Sequence, residues 1–308
     1  MVKITKNIER RASIGHGQTS NIMNILREVS LGQHFFQMAT LLRQTVFMSS
    51  VLLNSEAWVG LTQANISKLE GVDFILLRRI LNAPSKTPIP SLFMELGIYP
   101  IRFTIMARRI LFLHYILNCS TEEMLSKVFW VQEENPLKSD WVNSVKEDLK
   151  FLNLDHYLLN DIKNMKKSKL KAIVKSSIKK KAFEYLLKEK DKKSKMKQLT
   201  YKKLEMQEYI KSNKMSFKNK KILFKLRTRM IPVGYNFGRK VKCPLCHVGP
   251  DNQEHLLSCI IIKISCPEIM KNSNCKYSDI FSENIQKMDK VASLIEKALR
   301  KRDEIMKL

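Results

Sequence analysis

Cys243-Pro-Leu-Cys246, followed by His255 and Cys259, places four metal-ligating side chains in the pattern C-x2-C-x8-H-x3-C. Two cysteines separated by two residues can direct both thiolates at one ion. His255 and Cys259 are four residues apart, so they share one face of a short helix. Three sulfurs and one imidazole suit tetrahedral Zn²⁺. The stretch therefore predicts a small zinc-stabilised module at residues 241–308, closed by a C-terminal helix.

The alternative is a pair of ordinary buried cysteines beside a capping histidine. The complete spacing and the turn-forming residues of the stretch favour the metal; these residues are Pro244, Gly249 and Pro250. His247 competes with His255 for the fourth ligand position. Because His247 directly follows Cys246, folding it back onto the same ion is awkward, and His255 is the preferred ligand.

No secretory signal and no membrane-spanning run is evident, and the cysteines outside the motif follow no disulfide framework. The most apolar stretch, residues 35–53, is interrupted by Gln37, Arg43 and Gln44, so it predicts a buried helix instead of a membrane span. We therefore expect an intracellular protein of the nucleus or cytoplasm with no membrane partner.

The composition predicts a mainly α fold, because nine glycines and nine prolines are few for 308 residues with 44% hydrophobic content. Apolar periodicity indicates a helical bundle over residues 1–160, including a helix capped by Thr62. A basic helical segment follows over 161–240, with helices at 168–190, 201–211 and 217–230. The zinc module occupies 241–308 and ends in an amphipathic helix at 283–307.

Nearly all of the net charge of +26 lies in one segment. Residues 163–242 contain 28 Lys or Arg and five Asp or Glu, whereas the rest of the chain contains 27 and 24. A field of this sign selects a polyanion, either nucleic acid or an acidic membrane surface. A balanced charge run would indicate only a solvated helix face. The candidate contacts in the lysine-rich loop are Lys192, Lys193, Lys195 and Lys197.

Sequence motifs for catalysis are missing. The chain contains no glycine-rich phosphate loop, no G-x-S-x-G and no H-E-x-x-H. Two-metal nucleotidyl transfer needs clustered carboxylates, and no two aspartates are adjacent. We therefore expect a protein that is not an enzyme.

Several stretches in this order resemble the C-terminal part of non-LTR retrotransposon reverse transcriptases, namely the thumb and the zinc-knuckle region. They are Lys6-Asn-Ile-Glu-Arg-Arg-Ala12, Ile22-Met-Asn-Ile-Leu26, Leu53-Asn-Ser-Glu-Ala-Trp58, Leu76-Leu-Arg-Arg-Ile-Leu81 with Pro84, Glu95-Leu-Gly97, Pro100-Ile-Arg102, Arg108-Arg109, Leu226-Arg-Thr-Arg229 and the cysteine–histidine stretch 243–259. The chain departs from that family because it lacks the fingers and the palm with its catalytic Asp-Asp motif. The resemblance thus implies a non-catalytic remnant with a thumb-like bundle.

The resemblance also implies which residues contact nucleic acid. Candidate backbone contacts in the bundle are Arg10, Arg11, Arg78, Arg79, Arg108 and Arg109; those beside the knuckle are Arg227, Arg229, Arg239 and Lys240. Tyr235 and Phe237 lie in the glycine-flanked loop between them, where they could stack on unpaired bases or pack against the zinc module.

Three functions remain open at this point. The first is a non-catalytic protein fragment that binds RNA or DNA through its basic segment and zinc knuckle. The second is part of an RNA-directed DNA polymerase that acts only with a missing palm. The third is a helical scaffold whose basic segment binds acidic partners.

Overall fold

The computed structural model describes residues 2–28, 32–137, 139–272 and 274–307, and over these residues the chain is mainly helical, as predicted. Between them these ranges contain two isolated β-bridges and no strand. The first helices are α1 (Val2–Glu28), α2 (Phe35–Leu42), α3 (Met48–Val51), α4 (Gln63–Leu81), α5 (Ile89–Leu96), α6 (Ile101–Leu117), α7 (Met124–Glu134), α8 (Trp141–Phe151) and α9 (Leu159–Asn164). The later helices are α10 (Lys167–Asp191), α11 (Glu208–Lys211), α12 (Phe217–Arg227), α13 (Ile260–Ser265), α14 (Pro267–Lys271) and α15 (Ile285–Ile305).

The chain forms two compact units, each assembled from separate stretches of sequence. Unit 1 comprises residues 1–25, 40–76 and 98–188, and unit 2 comprises 26–39, 77–97 and 189–308. These units differ from the three consecutive domains predicted at 1–160, 161–240 and 241–308. The predicted basic segment divides at residue 188, because most of α10 packs within unit 1 while the lysine-rich loop and α12 belong to unit 2.

Unit 1 is organised around α6, which packs against α7, α8, α9 and a 3₁₀ turn at Ser55–Ala57. Phe103, Ile110 and Leu113 of α6 are buried in this core. The predicted cap of α4 is present, since the Thr62 hydroxyl accepts a hydrogen bond from the backbone N–H of Asn65 at 3.2 Å. Removing such a cap typically costs about 1 kcal/mol.

Helix α10 confirms the predicted basic helix and has a narrow apolar stripe. Its buried residues recur every four positions, which keeps them on one side of the helix; they are Leu170, Val174, Ile178, Ala182 and Leu186. The lysines occupy the remaining circumference. Burial of the stripe holds the helix in unit 1 and leaves the charged positions facing solvent.

Unit 2 is built on the packing of α12 against α15. The Ser216 hydroxyl caps α12 by accepting the N–H of Asn219 at 3.1 Å, and the Asn284 side chain caps α15 by accepting the N–H of Lys287 at 3.1 Å. Leu223 and Phe224 of α12 are completely buried, as are Val291 and Ile295 of α15. Helix α15 confirms the predicted amphipathic closing helix.

The predicted helix at 201–211 is wrong over most of its length, because only Glu208–Lys211 is helical. Met206 instead forms an antiparallel bridge with Leu96, and the backbone N–H of Gln207 donates to the carbonyl of Glu95 at 3.0 Å. Gly97 permits this approach, since it has a φ of +66° and a Cβ at this position would overlap the backbone of Met206. A contact with a distant segment thus replaces the local helix.

Candidate metal centre and basic surface

The four predicted ligands, Cys243, Cys246, His255 and Cys259, lie together in unit 2, with every ligand atom within 4.8 Å of the others. The Sγ atoms of Cys243 and Cys259 are 3.9 Å apart, and Cys246 Sγ lies 3.2 Å from His255 Nε2. His247 is exposed and outside the cluster. The structure thus places His255, and not His247, with the three cysteines, and the cluster could hold a metal ion.

Local backbone structure brings the ligands together. The N–H of Cys259 donates to the carbonyl of His255 at 2.8 Å, which forms the predicted helical turn between these two ligands. The N–H of Cys243 donates to the carbonyl of Gly249 at 2.7 Å and closes the cysteine loop. A Cβ on Gly249 would overlap the His255 ring, so glycine lets the ring lie at its observed position. The imidazole is oriented further by the Ser258 hydroxyl, 3.4 Å from its Nδ1.

The environments of the thiols differ. Backbone N–H groups of Gly249 and Val248 hydrogen-bond to the sulfur of Cys246 and lower its pKa to about 6. Burial raises the pKa of Cys259 to about 11. Backbone donors to one sulfur stabilise a thiolate, whereas the buried sulfur of Cys259 needs a cation beside it to ionise near neutral pH.

Residues 243–259, the cysteine–histidine loop, are anchored to α15 and α12 through two buried residues whose roles no sequence motif indicated. Asp251 is paired with Arg302 of α15 at 2.9 Å, and its carboxylate accepts the N–H of Gly234 at 2.7 Å. Gln253 is completely buried and donates to the carbonyl of Leu226 at 3.0 Å. These bonds fix the cluster to the core of unit 2 independently of the ligands.

The predicted aromatic and basic residues after α12 form an exposed turn next to the cysteine–histidine loop. The N–H of Tyr235 donates to the carbonyl of Asp251 at 3.0 Å, and that of Arg239 donates to the carbonyl of Gly234 at 3.0 Å. The side chains of Tyr235 and Phe237 remain 44% and 39% exposed. Arg239 and Lys240 are also exposed. The turn thus presents two aromatic rings and two cations to solvent.

The four lysines of the lysine-rich loop differ in their exposure and in their contacts. Lys193 and Lys197 are exposed. Lys192 pairs with Glu189 at 2.6 Å. Lys195 is half-buried, donates to the carbonyl of Asn236 and lies 5.3 Å from the ring centroid of Phe237. Burial lowers the pKa of Lys195, and the positive charge of Lys86 lowers it further.

The prediction that Arg227 contacts nucleic acid needs correction, because its side chain is buried. Its Nε lies 3.1 Å from Glu95 Oε1, and one of its terminal nitrogens donates to the carbonyl of Ile280 at 3.2 Å. Burial opposes the charge, but the Glu95 carboxylate outweighs it and raises the pKa of Arg227. The hydroxyl of Tyr201 also donates to Glu95, at 2.7 Å. Arg227 is thus an internal ion-pair partner.

Arg229 is partly exposed and already engaged. It has a left-handed backbone with a φ of 54°, and its guanidinium lies 2.8 Å from Glu254 and 3.3 Å from Gln198. A phosphate would have to compete with Glu254 for this side chain. The ion pair with Glu254 therefore ties Arg229 to the cysteine–histidine loop.

Several arginines implied by the resemblance also have internal roles. Arg108 donates to backbone carbonyls of Leu52 and Met48, and Arg11 donates to the carbonyl of Ser50 at 3.4 Å. Arg109 is buried and pairs with Asp148 at 3.1 Å. The other members of this set are less committed: Arg10 and Arg79 are exposed, and Arg78 is partly buried.

Each buried carboxylate in the described residues pairs with an arginine. The pairs of unit 1 are Glu70–Arg102, Asp73–Arg43 and Asp148–Arg109, and those of unit 2 are Glu95–Arg227 and Asp251–Arg302. A buried acid matched in this way is a structural group, since removing its partner would leave an uncompensated charge.

Comparisons of the chain with protein-family models, curated proteins and solved structures found no match. Among the helices of the described ranges, none combines the length and the apolar character needed to cross a bilayer.

Proposed function

We propose that the cysteine–histidine cluster holds one structural Zn²⁺ ion. Tetrahedral Zn–S bonds of about 2.3 Å place two sulfurs roughly 3.8 Å apart, close to the 3.9 Å between the sulfurs of Cys243 and Cys259. All four ligands come from the protein, as in closed structural sites. Zinc would supply the cation that the buried Cys259 sulfur needs, and the protein residues position the loop and its exposed turn.

We further propose that the chain is a non-catalytic nucleic-acid-binding protein. The observation that carries this proposal is the excess of positive charge in residues 163–242, which remains large although four of its bases pair with acids outside the segment. Each of the five acids in this segment pairs with a lysine of the same segment, and 28 basic residues are present. The segment therefore keeps a large excess of positive charge, and a polyanion gains affinity by releasing counterions there.

Helix α10 offers a row of exposed lysines to a phosphate backbone. Lys167, Lys171, Lys175 and Lys179 are exposed and recur every four residues, so they form one row with a rise of about 6 Å per step. Residues 163–183 contain no acid. Such a row offers successive cations to successive phosphates, and it reads no base sequence.

The exposed turn of unit 2 adds a different kind of contact. Tyr235 and Phe237 offer ring faces to unpaired bases, and Arg239 and Lys240 offer cations to the adjoining phosphates. This combination favours single-stranded regions, because bases within a duplex are already stacked. It also favours nucleic acid over an acidic protein as the ligand, because an acidic protein has no bases on which the two aromatic rings could stack.

The non-catalytic part of the proposal rests on the carboxylates. Two-metal nucleotidyl transfer needs acids that are free to bind ions, and the five buried acids of the described residues are instead matched to arginines. The sequence resemblance to the thumb and zinc-knuckle region of non-LTR retrotransposon reverse transcriptases supports the same proposal. None of the six cysteines forms a disulfide, which fits a reducing compartment, the nucleus or cytoplasm.

The test is binding of labelled single-stranded RNA, single-stranded DNA and duplex DNA, measured by fluorescence anisotropy with the zinc-loaded chain. Replacing the row Lys167, Lys171, Lys175 and Lys179 with Gln should weaken binding to all three. The control replaces four lysines of α15 with Gln: Lys287 and Lys290, which are exposed, and Lys297 and Lys301, which pair with Glu268 and Glu304. Equal losses from the two sets would show that net charge alone drives binding and would contradict the proposed surface.

A further inference from the structure

Helix α7 of unit 1 exposes most of its apolar residues instead of burying them. Its buried residues are Ser126 and Phe129. Three apolar residues spaced four and three positions apart form one stripe on the helix surface, and each is between 47% and 75% exposed: Met124, Val128 and Val131. Single apolar residues are common on protein surfaces, whereas a contiguous apolar patch is typical of an interaction site.

The stripe has an acidic border. Residues 120–135 contain four acids and one base, in a chain whose net charge is +26. Two of these acids pair with lysines, whereas Glu123 and Glu134 are exposed near the two ends of α7. Trp130 lies one turn before Glu134 and is also exposed. The stripe, Trp130 and the two exposed glutamates form the α7 surface, which favours a partner with an apolar centre and a basic rim.

Unit 2 contains a groove with this complementary character. The groove has a volume of about 270 Å³, and its apolar lining includes Leu257, Ile269 and Leu294. Met270 also lines it and is 56% exposed. Lys263 is the charged residue of the lining, and no carboxylate is among the described residues that line the groove.

The sequence around the groove is basic. Residues 257–276 contain three lysines and one acid. The acid is Glu268, which pairs with Lys297 of α15. Lys271 and Lys276 are exposed. The unit 2 groove therefore combines an apolar lining with a basic rim, and its charge is opposite to that of the α7 surface.

We propose that the α7 surface of one copy of this chain docks into the unit 2 groove of a second copy. Burial of the stripe supplies the apolar part of the contact. Trp130 is suited to anchor it, because tryptophan is enriched among the residues that dominate interface energies and its ring attracts a cation such as Lys263.

The two surfaces differ, so the contact is head-to-tail, and each copy keeps a free surface for the next copy. Charge disfavours the symmetric alternative, in which two α7 surfaces face each other, because both would present carboxylates. A second copy already carries the groove and the basic rim that the α7 surface requires. Self-association goes beyond the proposed function, since neither surface belongs to residues 163–242 or to the turn at 235–240.

The test is sedimentation velocity of the zinc-loaded chain over a range of concentrations at about 0.15 M salt. The sample is first treated with nuclease and freed of nucleic acid, because a strand bound to the basic segment could bridge two copies. The original chain should form assemblies that grow with concentration. Val128→Gln combined with Val131→Gln should weaken association about tenfold or more, and so should Met270→Glu alone.

Matched controls place the same changes on exposed apolar residues outside both surfaces. Leu41→Gln combined with Leu53→Gln is the control for the α7 variant. Met306→Glu is the control for the groove variant, since Met306 is 56% exposed, as Met270 is. Both controls should associate as the original chain does. Thermal unfolding and zinc content should be the same in all of these proteins, because every replaced side chain is exposed.

Mixing the α7 variant with the groove variant tests the head-to-tail contact itself. Each variant alone should be monomeric at a concentration where the original chain associates. The mixture should form a one-to-one dimer, because the α7 variant keeps its groove and the groove variant keeps its α7 surface.

A monomeric original chain would overturn the proposal, as would a mixture of the two variants that stays monomeric. Association of either variant at the level of its control would also overturn it. A groove variant that still dimerises while the α7 variant does not would show the symmetric pairing of two α7 surfaces instead.

Discussion

Replacing Arg227 with Ala should unfold unit 2 at much lower urea concentration without removing any external contact. The change deletes the partner of Glu95, which is completely buried and would keep one neutral hydrogen bond from Tyr201. The buried Tyr209 hydroxyl also lies near Glu95, but a neutral hydroxyl does not balance the charge of the carboxylate as the guanidinium does. Breaking a buried pair from one side typically costs about 3–5 kcal/mol. This loss is a large share of the stability of a domain.

Far-UV circular dichroism at saturating zinc is the suitable assay. Trp58, Trp130 and Trp141 all lie in unit 1, so tryptophan fluorescence reports that unit separately. Arg239→Ala is the matched control, because Arg239 is exposed in the same unit and its loss should change stability by less than about 0.5 kcal/mol. Identical urea midpoints for the two variants would refute the assignment of Arg227 to the core.

A double replacement separates the structural role of Arg227 from a contact with phosphate. Changing Glu95 and Arg227 together to Met removes both charges, and such replacements of buried pairs are often neutral or stabilising. The double variant should therefore recover most of the lost stability and bind nucleic acid as the original chain does. A folded double variant with weakened binding would restore Arg227 to the binding surface.

The remaining predictions concern metal, catalysis and pH. Elemental analysis should find one zinc per chain. The zinc should be lost in Cys259→Ser and depleted in His255→Ala. Full zinc content in His255→Ala, with depletion in His247→Ala, would reverse the ligand assignment. Primer extension on an RNA template with Mg²⁺ or Mn²⁺ should match a no-protein control, and template-dependent incorporation would contradict a non-catalytic protein. Burial raises the pKa of Asp148 from 3.8 to about 6. The protonated carboxyl group therefore stabilises the folded state at low pH. This contribution to the free energy of unfolding, about 3 kcal/mol, is lost as the pH rises through 6. Unfolding detected by tryptophan fluorescence should show this loss of stability between pH 4 and 7, and Asp148→Asn should make the stability depend less on pH. An unchanged pH profile in Asp148→Asn would exclude Asp148 as the source of the loss.

The structural features that could be predicted from the sequence are those formed by residues close together in the chain. The clustered side chains of Cys243, Cys246, His255 and Cys259 lie within 17 consecutive positions, so their spacing predicts which histidine lies beside the cysteines. Helix α10 is similarly local, because its apolar residues recur every four positions. Whether these features bind nucleic acid is a separate question that spacing cannot answer.

The parts that the sequence did not predict depend on distant residues. Arg227 and Glu95 are 132 positions apart, and no local pattern distinguishes a buried arginine from one that faces phosphate. The same contact region explains the wrong helix at 201–211, since the bridge between Met206 and Leu96 overrides local helical periodicity. The divided units have the same origin: residues 77–97 belong with residues 189–308.

The salt dependence of nucleic-acid affinity tests the central claim most directly. If about six phosphates are neutralised, the logarithm of the association constant should fall against the logarithm of salt concentration with a slope near −5 for duplex DNA. Single strands should give a shallower slope. Replacing Lys167, Lys171, Lys175 and Lys179 with Gln should reduce the slope by about three to four, whereas the four α15 replacements should leave it unchanged. An affinity that does not change with salt, or equal reductions from both lysine sets, would contradict the account.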